Sequence, residues 1–360
     1  MSETIEIALC LCYNEGVIFG EVNASLFHKT KSKIAKARKI IMPFVDMPLE
    51  KMMEYKGVSP CPSDIDEYWE TALAEMNALD PKAEFIPHPF PSKNTEMFDL
   101  WFTGTKNARV HAKFARPKSF TGKLPTVLMF HGLSGSSDEW STLLKWTNEG
   151  YVVSFLDVRG QGGLSEDVGG VAGTTMATPF MRGIEGGKHD LLMRDVYLDT
   201  ALMAKIVMGL DYVDETRVGV TGGSQGGCLS VVCACLVPEI KKCAPCFPYL
   251  SDYKRVYDMD LNKGAYDGLR YYFRNFDPNH EMEKEVFERL GYIDIQNIAK
   301  RMKAELLMFT GLVDTTCPPS TQFAMYNKVT SKKNVVIFPE FGHENLKGSG
   351  DKIFAFMSEL

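Results

Sequence analysis

Gly222-Gly223-Ser224-Gln225-Gly226 follows the apolar run Val218-Gly219-Val220 and precedes a helix-like stretch from Cys228 to Leu236. A serine between glycines at a strand-to-helix junction constrains the fold severely. Strand and helix must pack almost in contact, and only very small residues two before and two after the serine allow that. The serine is then held at positive φ, which lifts its Oγ above the sheet. The surrounding pattern agrees. Thr126 to Phe130, Val152 to Leu156, Val218 to Thr221, Leu306 to Phe309 and Val335 to Phe338 are short apolar or β-branched runs separated by helical patterns. That alternation predicts an α/β fold with a mostly parallel sheet flanked by helices. Val110, Ala112 and Phe114 alternate as a further strand should, and Ser63-Asp64-Ile65-Asp66 predicts a capping box opening a helix through Ala78.

Two residues downstream complete a constellation with Ser224. Asp314 lies just past the predicted strand Leu306 to Phe309, and His343 just past Val335 to Phe338. Each therefore falls in a loop at the carboxyl end of a strand, where open α/β sheets place their sites. A lone histidine is usually only a hydrogen-bonded polar residue. Here six other histidines are available for comparison and none follows Asp314, so the order nucleophile, acid, histidine selects His343. Glu344 adjoins the histidine and is expected to point elsewhere. Phe130-His131-Gly132-Leu133-Ser134-Gly135 follows another strand, where a loop amide can meet a developing oxyanion. The backbone N–H groups of Leu133 and of Gln225, next to the serine, are the candidate donors. Asp157-Val158-Arg159-Gly160-Gln161-Gly162 reads as a structural turn, with Arg159 an ion-pair anchor.

Composition excludes other classes. The 360 residues are 45% hydrophobic with a formal net charge of -6, enough apolar material for a core and the wrong sign for a nucleic-acid surface. No apolar run of about 18 residues exists, so no membrane span is expected. The first residues lack the positive start and cleavage site of a secretory signal, and the chain reads as cytoplasmic. Nine cysteines sit mostly in apolar stretches and are expected to be free. Cys243-Ala-Pro-Cys246 has dithiol spacing but stands at a strand end, and no second ligand pair suggests zinc, so neither metal nor cofactor is expected. From Pro248 to Gln296 an aromatic and charged stretch interrupts the alternation, either as a wall over the site or as an ordinary helical excursion.

Met42-Pro43-Phe44-Val45-Asp46-Met47-Pro48-Leu49, Arg159-Gly160-Gln161, the run Val213 to Gly227, Pro248-Tyr249-Leu250-Ser251, Gly311-Leu312-Val313-Asp314 with Cys317-Pro318-Pro319-Ser320-Thr321, and Phe341-Gly342-His343-Glu344 closely resemble the acetyl xylan esterase and cephalosporin-C deacetylase family of carbohydrate esterases. The resemblance runs from about Met42 to the C-terminus. It implies a single α/β-hydrolase domain over 42–360, with an insertion at about 248–296. It also implies a metal-free serine esterase acting on small acetylated carbohydrates and alcohols, assembled as a homo-hexamer, with Ser224 as nucleophile, His343 as base and Asp314 as its orienter. One departure stands out: the family usually has Tyr where this chain has Leu133. Residues 1–41 have no counterpart in the family and are read as an extension, disordered or belonging to a start assigned too early.

No periodic segment strong enough to dock appears in residues 1–41, and Lys29 to Lys39 is a basic stretch. A chain starting at Met42 is therefore expected to keep the activity, thermal midpoint and light-scattering mass of the full chain. Unfolding or loss of assembly on truncation would make the extension part of the structure.

Overall fold

Nine strands join into one mixed sheet among the described residues. They are β1 (Glu84–Pro87), β2 (Thr95–Thr103), β3 (Arg109–Pro117), β4 (Leu124–Phe130), β5 (Val152–Leu156), β6 (Val213–Gly223), β7 (Lys242–Cys246), β8 (Glu305–Gly311) and β9 (Lys333–Phe338). Their order is β1-β2-β3-β5-β4-β6-β7-β8-β9. Six of them, from β5 through β4 to β9, run parallel, while β1, β2 and β3 continue the sheet antiparallel beyond β5. The chain leaves β4 toward β5 on one side and later returns to β6 on the other. That reversal opens a crevice above the carboxyl ends of β4 and β6, the position where such sheets bind ligands. The structure is a computed structural model that describes residues 45–168 and 178–360, all within a compact unit from Phe44 to Leu360. The extension read at 1–41 lies outside the described residues.

Helices cover the sheet: α1 (Ile65–Asn77), α2 (Leu192–Met208), α3 (Gln225–Leu236), α4 (Tyr253–Asp258), α5 (Asp267–Asn275), α6 (Glu283–Leu290), α7 (Pro319–Lys328) and α8 (Ser349–Met357). α3, the helix that starts beside Ser224, is buried along its whole length. Its glycine, cysteine, alanine and valine side chains suit a helix with no solvent face, packed closely on β6 and β7. The stretch from Pro248 to Gln296 forms α4, α5 and α6, with Tyr249, Tyr253, Tyr266 and Phe180 fully buried together. At α1 the expected capping box does not form. Asp64 is the N-cap and makes no side-chain cap bond; its carboxylate instead accepts from Lys188 Nζ at 2.5 Å and the Tyr292 hydroxyl at 2.6 Å. Two charge-assisted or hydroxyl donors outcompete a local backbone amide there.

The segment before α1 is held by buried carboxylates. Asp46 accepts from the backbone N–H of Ser320 at 2.8 Å and from Arg255 at 2.8 Å. Asp252 accepts from the amides of Val58 and Ser59 and from the Tyr55 hydroxyl at 2.6 Å, while its own N–H donates to Asp294. Burial, reinforced by the Asp252 charge, pushes the Asp294 carboxyl up to about 7. A folded-state value above the unfolded one means that folding favours the protonated acid. The resulting stability is complete below the unfolded value and is lost as pH rises to about 7. Asp294→Asn removes this titration, so the thermal midpoint of the variant relative to the native chain should climb between about pH 4 and pH 7 and level off above. A difference that stays flat across that interval would show that Asp294 does not titrate there.

Candidate active site

The elbow is built from a steric contact. A Cβ on Gly222 would come within 2.5 Å of the Phe130 carbonyl oxygen at the end of β4, and a Cβ on Gly226 would collide with the same carbonyl. With glycine at both positions, β6 turns directly into α3 and Ser224 sits at φ 57°, ψ −118°. A non-glycine residue there costs on the order of 1–3 kcal/mol and persists only where its surroundings over-determine it. They do: the Ser224 N–H donates to the Cys246 carbonyl at 3.0 Å, and the Ser224 carbonyl accepts from Cys228 and Tyr249 at 3.0 and 3.1 Å.

The structure brings the three sequence candidates together. His343 Nε2 lies 3.0 Å from Ser224 Oγ, and Nδ1 lies 2.9 Å from Asp314 Oδ2. One tautomer satisfies both contacts, with Nδ1–H donating to the carboxylate and Nε2 accepting from the hydroxyl. Asp314 is fully buried, and its other oxygen accepts from the amides of Thr316 and Cys317, each at 2.8 Å. His343 keeps 24% of its side chain exposed, so the histidine end of the chain of bonds faces the crevice. Glu344 turns back to accept from the Gly342 amide at 3.1 Å and takes no part.

Leu133 lies half-buried in the loop after β4, next to Gly132, where an added Cβ would lie 3.9 Å from the Gly223 carbonyl oxygen. His131 shapes that loop. Its Nε2 accepts from the Val158 amide at 2.9 Å and its Nδ1 donates to the Gly132 carbonyl at 2.7 Å. Burial lowers its pKa, in keeping with a neutral ring. Arg159 is an anchor: its guanidinium binds both oxygens of Asp199 at 2.5 and 2.7 Å and the Thr105 carbonyl at 3.0 Å. Both side chains are buried, and removing one partner of such a pair costs about 3–5 kcal/mol. Gly160 takes positive φ, and the Gln161 side chain reaches Ser134 and Gln225.

Two neighbours escape sequence reasoning. The Phe247 ring lies 4.7 Å from the His343 ring and walls it; φ 33° at Phe247 gives no local sequence signal. Cys317 is buried with its thiol beside Ser224, which lowers a pKa that burial pushes far up. Asp314, Cys317 and His343 offer ligand atoms within 4.8 Å of one another, yet the acid and the histidine already bond each other, leaving too few free ligands for a structural metal. All seven described cysteines are unpaired. Residues 257–280 line a separate surface cavity of about 520 Å³, between Tyr257, Arg270, Phe273 and His280, and no residue of the Ser224 cluster lines it.

Residues 42–360 match the acetyl xylan esterase (AXE1) family. The chain belongs to that family. Acetyl xylan esterase 1 from Thermoanaerobacterium sp. is 51% identical, with a TM-score of 0.86, 87% of this chain and 99% of that one being covered. An acetyl xylan esterase from a Paenibacillus species is 32% identical at a TM-score of 0.83, with the same coverage. An acetyl esterase of Xylanibacter ruminicola is 27% identical over 290 residues, and the match spans 77% of this chain and 62% of that relative's length. Among the described residues no helix is long and apolar enough to cross a membrane.

Proposed function

We propose that the chain is a serine esterase that removes acetyl groups from acetylated xylo-oligosaccharides and other small acetyl esters, cephalosporin C among them. The observation that carries this reading is the imidazole of His343 bridging Ser224 Oγ and Asp314 on a strained elbow. His343 Nε2 takes the hydroxyl proton as Ser224 Oγ bonds the ester carbonyl carbon. The backbone amides of Leu133 and Gln225 receive the oxyanion, and Asp314 steadies the imidazolium. Collapse breaks the bond to the alcohol oxygen, which leaves with the proton from His343, and an acetyl-enzyme remains. Water then gives its proton to His343 as it attacks, acetate departs and Ser224 is restored. The same reading has the chain working as a homo-hexamer in the cytoplasm; unpaired cysteines support a reducing compartment, and a monomeric light-scattering mass would remove the assembly.

Ser224→Ala and His343→Ala are each expected to lower turnover of an aryl acetate by roughly 10⁴ to 10⁶, and Asp314→Asn somewhat less. Near-normal turnover in a folded Ser224→Ala protein would sink the reading.

Leu133 sets the acyl range. Leucine in place of the family's tyrosine shortens the wall beside the carbonyl and removes a hydroxyl. Propionyl and butyryl esters are therefore expected to be accepted, while acetate stays among the best because one methylene is worth only about 1–3 kcal/mol. Rates on aryl acetate, butyrate and octanoate should show Leu133→Tyr sharpening the preference for acetate. Octanoate as the best substrate of the native chain would replace the deacetylase reading with that of a general carboxylesterase.

A further inference from the structure

Three loops rise from the carboxyl edge around Ser224 and meet at one pair of side chains. Gln161 Nε2 donates to Gln225 Oε1 at 2.8 Å, and Gln225 Nε2 donates back to Gln161 Oε1 at 3.0 Å. The same Gln161 oxygen accepts the backbone N–H of Ser134 at 2.8 Å. Gln225 is fully buried although it is polar and directly follows Ser224. A primary amide both donates and accepts in a planar fork without titrating, so two of them close a reciprocal ring that neither an ionised carboxylate nor a hydroxyl can reproduce. A second tie lies alongside: the Gly162 N–H donates to the Gly135 carbonyl at 2.8 Å. The two backbones are so close that a Cβ on Gly162 would come within 2.9 Å of that oxygen.

The pair connects the two candidate oxyanion donors. Gln225 supplies one through its own backbone N–H. The other belongs to Leu133, the residue before Ser134, whose φ of 64° is held by the bond to Gln161. We propose that Gln161 and Gln225 form an amide clamp that fixes the spacing and aim of the Leu133 and Gln225 N–H groups, acting as positioning residues for the oxyanion without touching the substrate. This rests on the esterase reading above. Preorganised donors act where charge develops, so a loosened clamp weakens the transition state more than the bound ester. Losing one donor outright costs about 10²–10³ in kcat; a donor misaimed but present costs less.

The test uses Gln161→Leu, Gln225→Leu and the double variant on an aryl acetate, with thermal midpoint and circular dichroism as controls. Each single change is expected to lower kcat about tenfold to a hundredfold while KM stays within about threefold, and the double change to cost about as much as one, because the residues act as a unit. Kcat within twofold of native in a folded single variant overturns the clamp, as does a rise in KM at unchanged kcat or losses that multiply in the double variant. Should Gln161→Leu not fold, Gln161→Glu decides. Its shape is retained and it can accept from Ser134, but as a carboxylate it cannot donate to Gln225 Oε1; it is expected to show the same kcat loss at steady KM, and native kcat overturns the clamp. The two readings separate cleanly: an inert Ser224→Ala with a normal Gln161→Leu removes the clamp and leaves the esterase standing, whereas an active Ser224→Ala removes the esterase reading itself.

Discussion

The carbonyl of Phe130 and the missing side chains of Gly222 and Gly226 set the distance between β4, β6 and α3, and the rest of the site inherits its geometry from that contact. Because α3 starts so close to β4, the helix start and the end of β4 approach each other at the Phe130 carbonyl. The close approach also leaves Ser224 no helical or extended conformation, so the hydroxyl is lifted out of the backbone toward His343. A larger residue at either glycine would separate the strand from the helix. Serine, helix start and loop would then move apart together, since each is fixed to the same junction.

Around that junction the loops have lost their sheet partners, and buried carboxylates take their place. Asp314 accepts two amides of the loop that follows it. Asp157 accepts the amides of Ser137 and Leu164 and a ring nitrogen of His111. Burial alone would raise the Asp157 carboxyl; the His111 bond and the two amides outweigh it and hold it well below the usual carboxylate range. Such acceptors do for a loop what a neighbouring strand does for a sheet, because each oxygen meets a donor. Where burial is complete the balance tips the other way: desolvation raises Asp199 to about 6 despite its ion pair with Arg159, and the charge of Asp195 adds to the rise.

Much of this was legible in the chain. The runs at 126–130, 152–156 and 306–309 lie inside β4, β5 and β8, because buried parallel strands are continuously apolar and stand out from their surroundings; 335–338 lies inside β9, a partly buried strand at the end of the sheet whose β-branched run Val335-Val336-Ile337 marks it. Chain order singled out the aspartate and histidine that bond each other and the serine. β1 and β7 were not legible. β1 is four residues at an exposed edge, and β7 holds a proline and a lysine that make Lys242-Cys243-Ala-Pro245-Cys246 look unlike a strand until its neighbours cover it. β2 alternates only in part, since Asp99 in its middle bonds His88 and His111 rather than facing water. The capping box at Ser63 failed for the same reason: local pattern carries no information about a lysine and a tyrosine that arrive from positions 188 and 292.

The support of the acid reaches back to the first described residues. α7 begins with Pro318 and Pro319, which have no N–H to offer, so the first free amide at its N-terminus is that of Ser320. Asp46 accepts it, and a carboxylate at a helix N-terminus in a partly buried setting is worth up to ~2 kcal/mol. Ser320 is three residues from Cys317, whose amide bonds Asp314 Oδ1. The aspartate that bonds His343 is thus held in a loop whose far end is pinned from residue 46, across the interval that contains β1 to β8. The unit that positions the site therefore starts near Asp46, well before β1, and the segment 45–60 belongs to the support of Asp314 as much as the strand that carries it.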